Sequence, residues 1–138
     1  TGVQLEVGSK ATEFQHRSYA DELARCQRYY FRMNSDDGSD TMFGTGWYNN
    51  ANNALAITHF PVKMRAAPSA LETTGTASHY RANSWDANSN GTGGPSFSTA
   101  GTDTATFYIT VSSSTAGRPI FVRSNDATAF LAWSAELL

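Results

Sequence analysis

Charge is scarce in this chain. Of its 138 residues, 16% are Asp, Glu, Lys or Arg, ten basic against twelve acidic, for a formal net charge of -2. A broad basic face of the kind that grips nucleic acid is therefore excluded. Cysteine is nearly absent. The single Cys26 excludes an internal disulfide framework and a Cys-based zinc site, and it reads as a small buried apolar residue. No uninterrupted apolar run approaches the ~20 residues of a membrane helix, so membrane insertion is not expected. No Gly-x-Ser-x-Gly elbow occurs. An initiating methionine is missing too: the chain opens on Thr1, as expected of a processed chain or a piece of a longer one.

Small polar residues take the place of charge. Ser (15), Thr (16) and Asn (9) make up 40 of the 138 residues, beside 11 Gly. That mixture favours strands and turns over helices. The length suits one domain, which buries roughly two-thirds of its unfolded surface and needs no metal or cofactor to hold it.

Val3, Leu5 and Val7 alternate with polar neighbours as a short strand ended by Gly8-Ser9. The one helix signal follows. Ser18 is placed to cap, Asp21 and Glu22 fall in the first turn, and Tyr19, Leu23 and Cys26 recur at helical spacing, giving a helix from Tyr19 to about Gln27. From Arg28 the period becomes two, with Tyr29, Phe31 and Met33 on one face and Arg28, Tyr30 and Arg32 on the other. Further strands are expected at Thr41–Tyr48, whose Gly44 and Gly46 signal a bulge or close backbone approach, and at Ala54–Phe60. Val62–Ala66 offers another apolar face, and Leu71–Thr74 and His79–Ala82 are weaker strands. Thr104–Val111, Pro119–Arg123 and Thr128–Leu137 complete the set, with Trp133 in the core. Ser84–Asp103, dense in Asn, Ser, Gly and Thr, reads as a long surface loop. The expectation is an all-β domain, an antiparallel β-sandwich or jelly roll with one short N-terminal helix, spanning 18–138 after an exit strand and linker at 1–17.

Several ordered blocks resemble the C-terminal domains of bacteriophage tail and fibre proteins. They are Val3-Gln4-Leu5-Glu6-Val7-Gly8-Ser9-Lys10-Ala11-Thr12-Glu13-Phe14, then Tyr19-Ala20-Asp21-Glu22-Leu23-Ala24-Arg25-Cys26-Gln27-Arg28-Tyr29-Tyr30. Phe60-Pro61-Val62-Lys63-Met64-Arg65-Ala66-Ala67-Pro68 and the closing Ala135-Glu136-Leu137 complete the series, which covers about a quarter of the chain. Glu13 departs from the pattern, standing where proline is expected. The resemblance implies a virion structural protein on the phage particle surface: a distal, homotrimeric fibre domain that contacts other fibre or capsid proteins and binds the host surface without catalysis. The rival readings are a head decoration or fibre-trimerisation domain with no host ligand, a cellular carbohydrate-binding module, and a glycan-cleaving depolymerase.

Sugar recognition calls for an aromatic face with Asn, Asp or Arg beside it. Trp85 with Tyr80, Arg81, Asn83 and Asp86 meets that description, and so does Trp47-Tyr48 before the Asn49–Asn53 turn. The plainer reading makes both tryptophans anchors of loop ends. Asp36, Asp37 and Asp40 crowd one loop as candidate calcium ligands, but the glycine comes too early for an EF-hand and the final glutamate is missing, so a solvated turn is preferred. Arg28 and Arg32 are interface candidates, pairing with acids of a neighbouring copy or standing solvated at a strand edge. The three histidines, His16, His59 and His79, fall in different contexts and read as structural or surface groups. Asp86, Asp103, Asp126, Glu72 and Glu136 are carboxylates that nothing in the sequence brings together as a hydrolytic pair.

Overall fold

The computed structural model describes residues 5, 7–10, 12–13, 16–36, 40–85, 88–112 and 114–135. Thr1, Val3, Gln4, Glu6, Ala11, Phe14, Asp37, Asp86, Glu136 and Leu137, named above, lie outside them. Helix α1 covers Tyr19–Gln27, and the Ser18 hydroxyl accepts the Asp21 backbone N–H at 3.2 Å as its cap. Nine strands follow among the described residues: β1 Tyr30–Asn34, β2 Met42–Asn50, β3 Asn53–His59, β4 Leu71–Thr73, β5 Tyr80–Asn83, β6 Asn88–Ala100, β7 Thr104–Val111, β8 Pro119–Ser124 and β9 Phe130–Ser134. A one-turn 3-10 helix, Ala77–His79, leads into β5.

The fold is all-β with one short helix. Six strands close into a barrel in the order β2-β3-β7-β6-β5-β8, and β1-β9-β4 form a separate three-stranded sheet. All pairings are antiparallel. Alternation explains most of this. In β7, Ala105, Phe107, Ile109 and Val111 are buried, while Thr104, Thr106 and Tyr108 are only half-buried. Gly46 has no room for a side chain, because a Cβ there would run into the carbonyl oxygen of Leu55 on the neighbouring strand.

Ser84–Asp103 departs from expectation. Instead of a surface loop it holds β6, the longest strand, paired to both β5 and β7. Its register on β7 slips between Gly91 and Gly93, between Gly93 and Ser96, and between Phe97 and Thr99. Each bulge adds an unpaired residue and resets the alternation, so no period of two survives in the sequence. Pro95, which cannot donate to a ladder, falls within one of these irregular stretches. At Gly91 a Cβ would sit 2.6 Å from the Ala77 carbonyl oxygen, so the 3-10 turn rests directly on the strand backbone.

Residues 62–66 form no strand. Met64 is buried, but the segment is tied by single bonds, Met64 N–H to the Thr102 carbonyl and Arg65 N–H to the Arg28 carbonyl, rather than by a ladder. Arg28 and Tyr29 belong to the turn after α1, and β1 starts only at Tyr30. At the start of the described chain, Leu5 and Val7 are fully exposed. Cys26 is exposed too, on a helix none of whose residues is buried.

Trp133 of β9 joins the two sheets. Its ring stacks on Phe31 of β1 (6.1 Å, 14°), meets Phe60 edge-on after β3 (5.7 Å, 71°) and tilts against Phe107 of β7 (6.3 Å, 60°). It is fully buried, and β9 contributes Leu131 and Ala132 to the core beside it. Replacing it leaves a cavity between sheet and barrel that neither rigid layer can close. Trp133→Ala is expected to cost about 3–5 kcal/mol of unfolding free energy, read from the shift in a urea or guanidinium midpoint.

Candidate functional site

Strands β5, β8 and β2 lie side by side in the barrel wall, and their alternation sorts the candidate residues onto two sides. Tyr80, Ala82, Ile120, Val122, Phe43 and Tyr48 face inward and are buried. The outer side carries Arg81 and Asn83 from β5, Pro119, Phe121 and Arg123 from β8, and Met42, Thr45 and Trp47 from β2. The register sets these in rows across the strands: Arg81 opposite Arg123 opposite Met42, then Asn83 opposite Phe121 opposite Thr45. Pro119 faces Trp47 in the next row, so Phe121 and Trp47 are diagonal neighbours within reach of each other's rings.

Two of the tyrosines expected at a sugar site therefore lie elsewhere. Tyr80 is wholly buried; its hydroxyl donates to the Phe130 carbonyl at 2.6 Å and accepts the Thr74 N–H at 3.1 Å. Tyr48 is buried as well and donates to the Ala82 carbonyl at 3.1 Å, linking β2 to β5 across the barrel interior. Both hold the wall from within. The tryptophans, in contrast, face solvent: Trp85, just past the end of β5, is 87% exposed, and Trp47 is 41% exposed. Phe121 at 44% and Met42 at 44% join them. Sequence reading missed Phe121. Its strand is apolar on both faces, and alternation alone does not say which face closes inward.

Arg81 and Arg123 converge on the carboxylate of Asp40, Arg81 through a short ion pair and Arg123 at 3.3 Å. The Arg123 guanidinium also lies 5.7 Å from the centre of the Phe121 ring. Asp40 holds a positive φ of 77°, a conformation that aspartate tolerates better than most residues, and its backbone N–H donates to the Ser124 carbonyl at 3.2 Å. Asp40 thus clamps the returning loop to β8. With its carboxylate committed to two guanidiniums, it is poorly placed to serve a cation. Among the described residues no group of three His, Cys, Asp or Glu side chains is gathered to hold a metal ion, and Asp36 is exposed.

Six buried side-chain polar atoms among the described residues lack a hydrogen-bond partner, and three of them gather here: Nε of Arg81, Nε of Arg123 and Oδ1 of Asn83. Two guanidiniums against one carboxylate leave this corner locally positive. The exposed part of the face offers flat aromatic surface, with the guanidiniums of Arg81 and Arg123 held beside it by Asp40.

Arg32 faces solvent at the edge of the other sheet, its guanidinium 3.8 Å from the centre of the Phe130 ring and its Nε donating to Asn34 at 2.6 Å. Arg28 ends α1 and borders an open groove with Arg17, Asp21, Ala24, Arg25 and Val62.

One histidine does meet an acid and a hydroxyl. His79 lies 3.8 Å from Asp126, and Thr128 is within 3.4 Å of the imidazole. The Thr128 hydroxyl, however, donates its proton to Asp126 at 2.5 Å, and the Thr128 N–H donates to the same carboxylate at 2.8 Å. A hydroxyl that gives its proton to the acid is not activated by the imidazole, so the group braces the β8–β9 turn against the 3-10 helix.

Comparison of the chain with protein-family models, with curated proteins and with solved structures finds no match.

The two Thr128 bonds, the side-chain one foremost, hold the Asp126 carboxyl below the ordinary aspartate range, helped by His79. A lowered folded-state value means stability that is present above the ordinary aspartate pKa and is lost as pH falls through the lowered one. Thr128→Val is expected to move the Asp126 carboxyl midpoint upward in an NMR titration. An unchanged midpoint would assign the shift to some other group.

Proposed function

We propose that this chain is a non-catalytic attachment domain of a phage fibre, homotrimeric and displayed on the virion surface, which holds host-surface glycan on the outer face of β5, β8 and β2. The observation that carries this reading is Trp85. An indole 87% exposed at the lip of a wall that also presents Phe121 and Trp47 is little packed by the described residues, and it suits stacking on a sugar ring. Asn83 precedes it by two residues at the end of β5, and Arg123, opposite Arg81, lies further along the same face to meet acidic groups. Asp86, expected among the contacts, lies outside the described residues. Shallow, single-ring contacts of this kind are weak, and three copies per tip with several fibres per particle supply the avidity.

The ordering of strands supports a jelly-roll reading of the fold. The strips β1-β9-β4 and β2-β8-β5-β6 have the alternating first-with-last order of two interleaved Greek keys. The remaining β3 and β7 close the second strip into the barrel. With residues 88–100 built into the wall as β6, recognition passes from the expected loop to the outer face itself.

The test uses the purified chain and a panel of immobilised bacterial lipopolysaccharides and capsular polysaccharides. The wild type is expected to be retained on at least one. Trp85→Ala is expected to weaken that retention at least tenfold, or ~1.4 kcal/mol, without changing thermal unfolding. Retention that Trp85→Ala leaves intact, or release of reducing ends from the polysaccharide, would contradict this reading.

A further inference from the structure

Four neighbouring strands of the barrel wall carry no charge. No Asp, Glu, Lys or Arg occurs in residues 41–62, 87–102 or 104–117, so β2, β3, β7 and β6 are free of them throughout. The register shows what stands on their outer side. Pro119 of β8 lies opposite Trp47 of β2, Trp47 opposite Leu55 of β3, Leu55 opposite Tyr108 of β7, and Tyr108 opposite Ser96 of β6. Leu55 and Tyr108 are half-buried and sit between buried residues of their strands, so both face outward; Pro119, Trp47 and Ser96 are exposed. A mostly apolar row one residue wide thus crosses five strands, with one aromatic ring on β2 and a second on β7.

Uncharged hydrogen-bonding groups border this row on both sides. Thr45, Thr106 and Thr99 stand in register along one side, with Ile57 among them, and Asn50, Asn53 and Thr110 along the other. A sugar ring rests its apolar face on an aromatic or aliphatic floor and turns its hydroxyls sideways, which is where these Thr and Asn side chains lie. Strands lie ~4.8 Å apart, so Trp47 and Tyr108, two strands apart, rise from backbones about 10 Å from each other. That matches the step from one ring to the next but one in an extended hexose chain. A carboxylate or amine on the sugar finds no counter-charge along the row, because the guanidiniums of Arg81 and Arg123 lie two rows away.

We propose that the glycan surface runs on from Trp85 along this row, and that it takes a linear, uncharged polysaccharide segment lying across the strands, stacked on Trp47 and Tyr108 over Leu55. This rests on the proposed function, and it names the class of glycan and the further residues that hold it. Asn83 pairs with Phe121, so the chain leaves β5 toward the Pro119 end of the row, and Trp85 adds its ring there. From Pro119 to Ser96 the row covers four strand spacings, about 19 Å, room for several rings in line.

The test is calorimetric titration of the whole chain with cello-, chito- and manno-oligosaccharides of increasing length, and with oligomannuronate, the acidic counterpart of the manno series. At least one uncharged series is expected to bind, with affinity that rises with length and levels off once the oligomer covers the row. Oligomannuronate is expected to bind at least tenfold more weakly than that series. Tyr108→Ala should weaken the longest oligomers about tenfold and shorten the length at which affinity levels off, while Tyr108→Phe, which keeps the ring, binds as wild type. Thermal unfolding of both variants is the control for folding. Affinity that does not grow with length, or a Tyr108→Ala variant that binds as wild type where Trp85→Ala does not, would overturn the row and leave a point contact at Trp85. Tighter binding of oligomannuronate would overturn the uncharged class. Binding to none of these oligomers by a chain that a polysaccharide retains would overturn the row and leave the proposed function standing; a chain that no polysaccharide retains would overturn both.

Discussion

Closure of the barrel through β8 is the constraint on which the rest depends. β8 pairs with β2 on one side and β5 on the other, so it joins the first hairpin to the later strands and leaves the wall without a free edge. The same closure decides which way every residue of these strands faces. Ile120, Val122 and Ser124 turn into the core, and Pro119, Phe121 and Arg123 turn out. The three-stranded sheet then has one way to pack, with Trp133 wedged among Phe31, Phe60 and Phe107.

The proposed function draws on the outer side of that closed wall. An aromatic ring on a strand loses little freedom when it meets a ligand, because its neighbours already hold it. Trp47, Phe121 and Arg123 are held in this way, and the Asp40 clamp keeps both guanidiniums beside the rings. Trp85 stands at the edge of this rigid surface, where one exposed indole adds reach. A shallow platform suits attachment by many weak contacts better than it suits chemistry, which needs enclosed, dry geometry.

Features set by neighbouring residues were legible in the sequence. The bounds of α1 were, because Ser18, Asp21 and Glu22 act within one turn. β7 was equally clear, since its alternation is unbroken over eight residues. What closure decides was not legible. β6 lost its period to three bulges and passed for a loop. Tyr80 and Tyr48 passed for surface groups because an aromatic beside polar residues looks the same from either side of a wall. Cys26 was expected inside, as the apolar face of a helix normally is, and α1 presents that face outward instead.

The three tryptophans divide the molecule into its parts, and their indole N–H signals report on each separately. Trp85 marks the proposed contact surface, Trp47 its floor and Trp133 the buried joint between sheet and barrel. The most direct measurement is an NMR titration of ¹⁵N-labelled protein with oligosaccharide prepared from whichever polysaccharide retains it. The account predicts that the Trp85 signal moves furthest, that Trp47 follows and that Trp133 stays in place. A titration in which Trp85 stays still while the complex forms would contradict it.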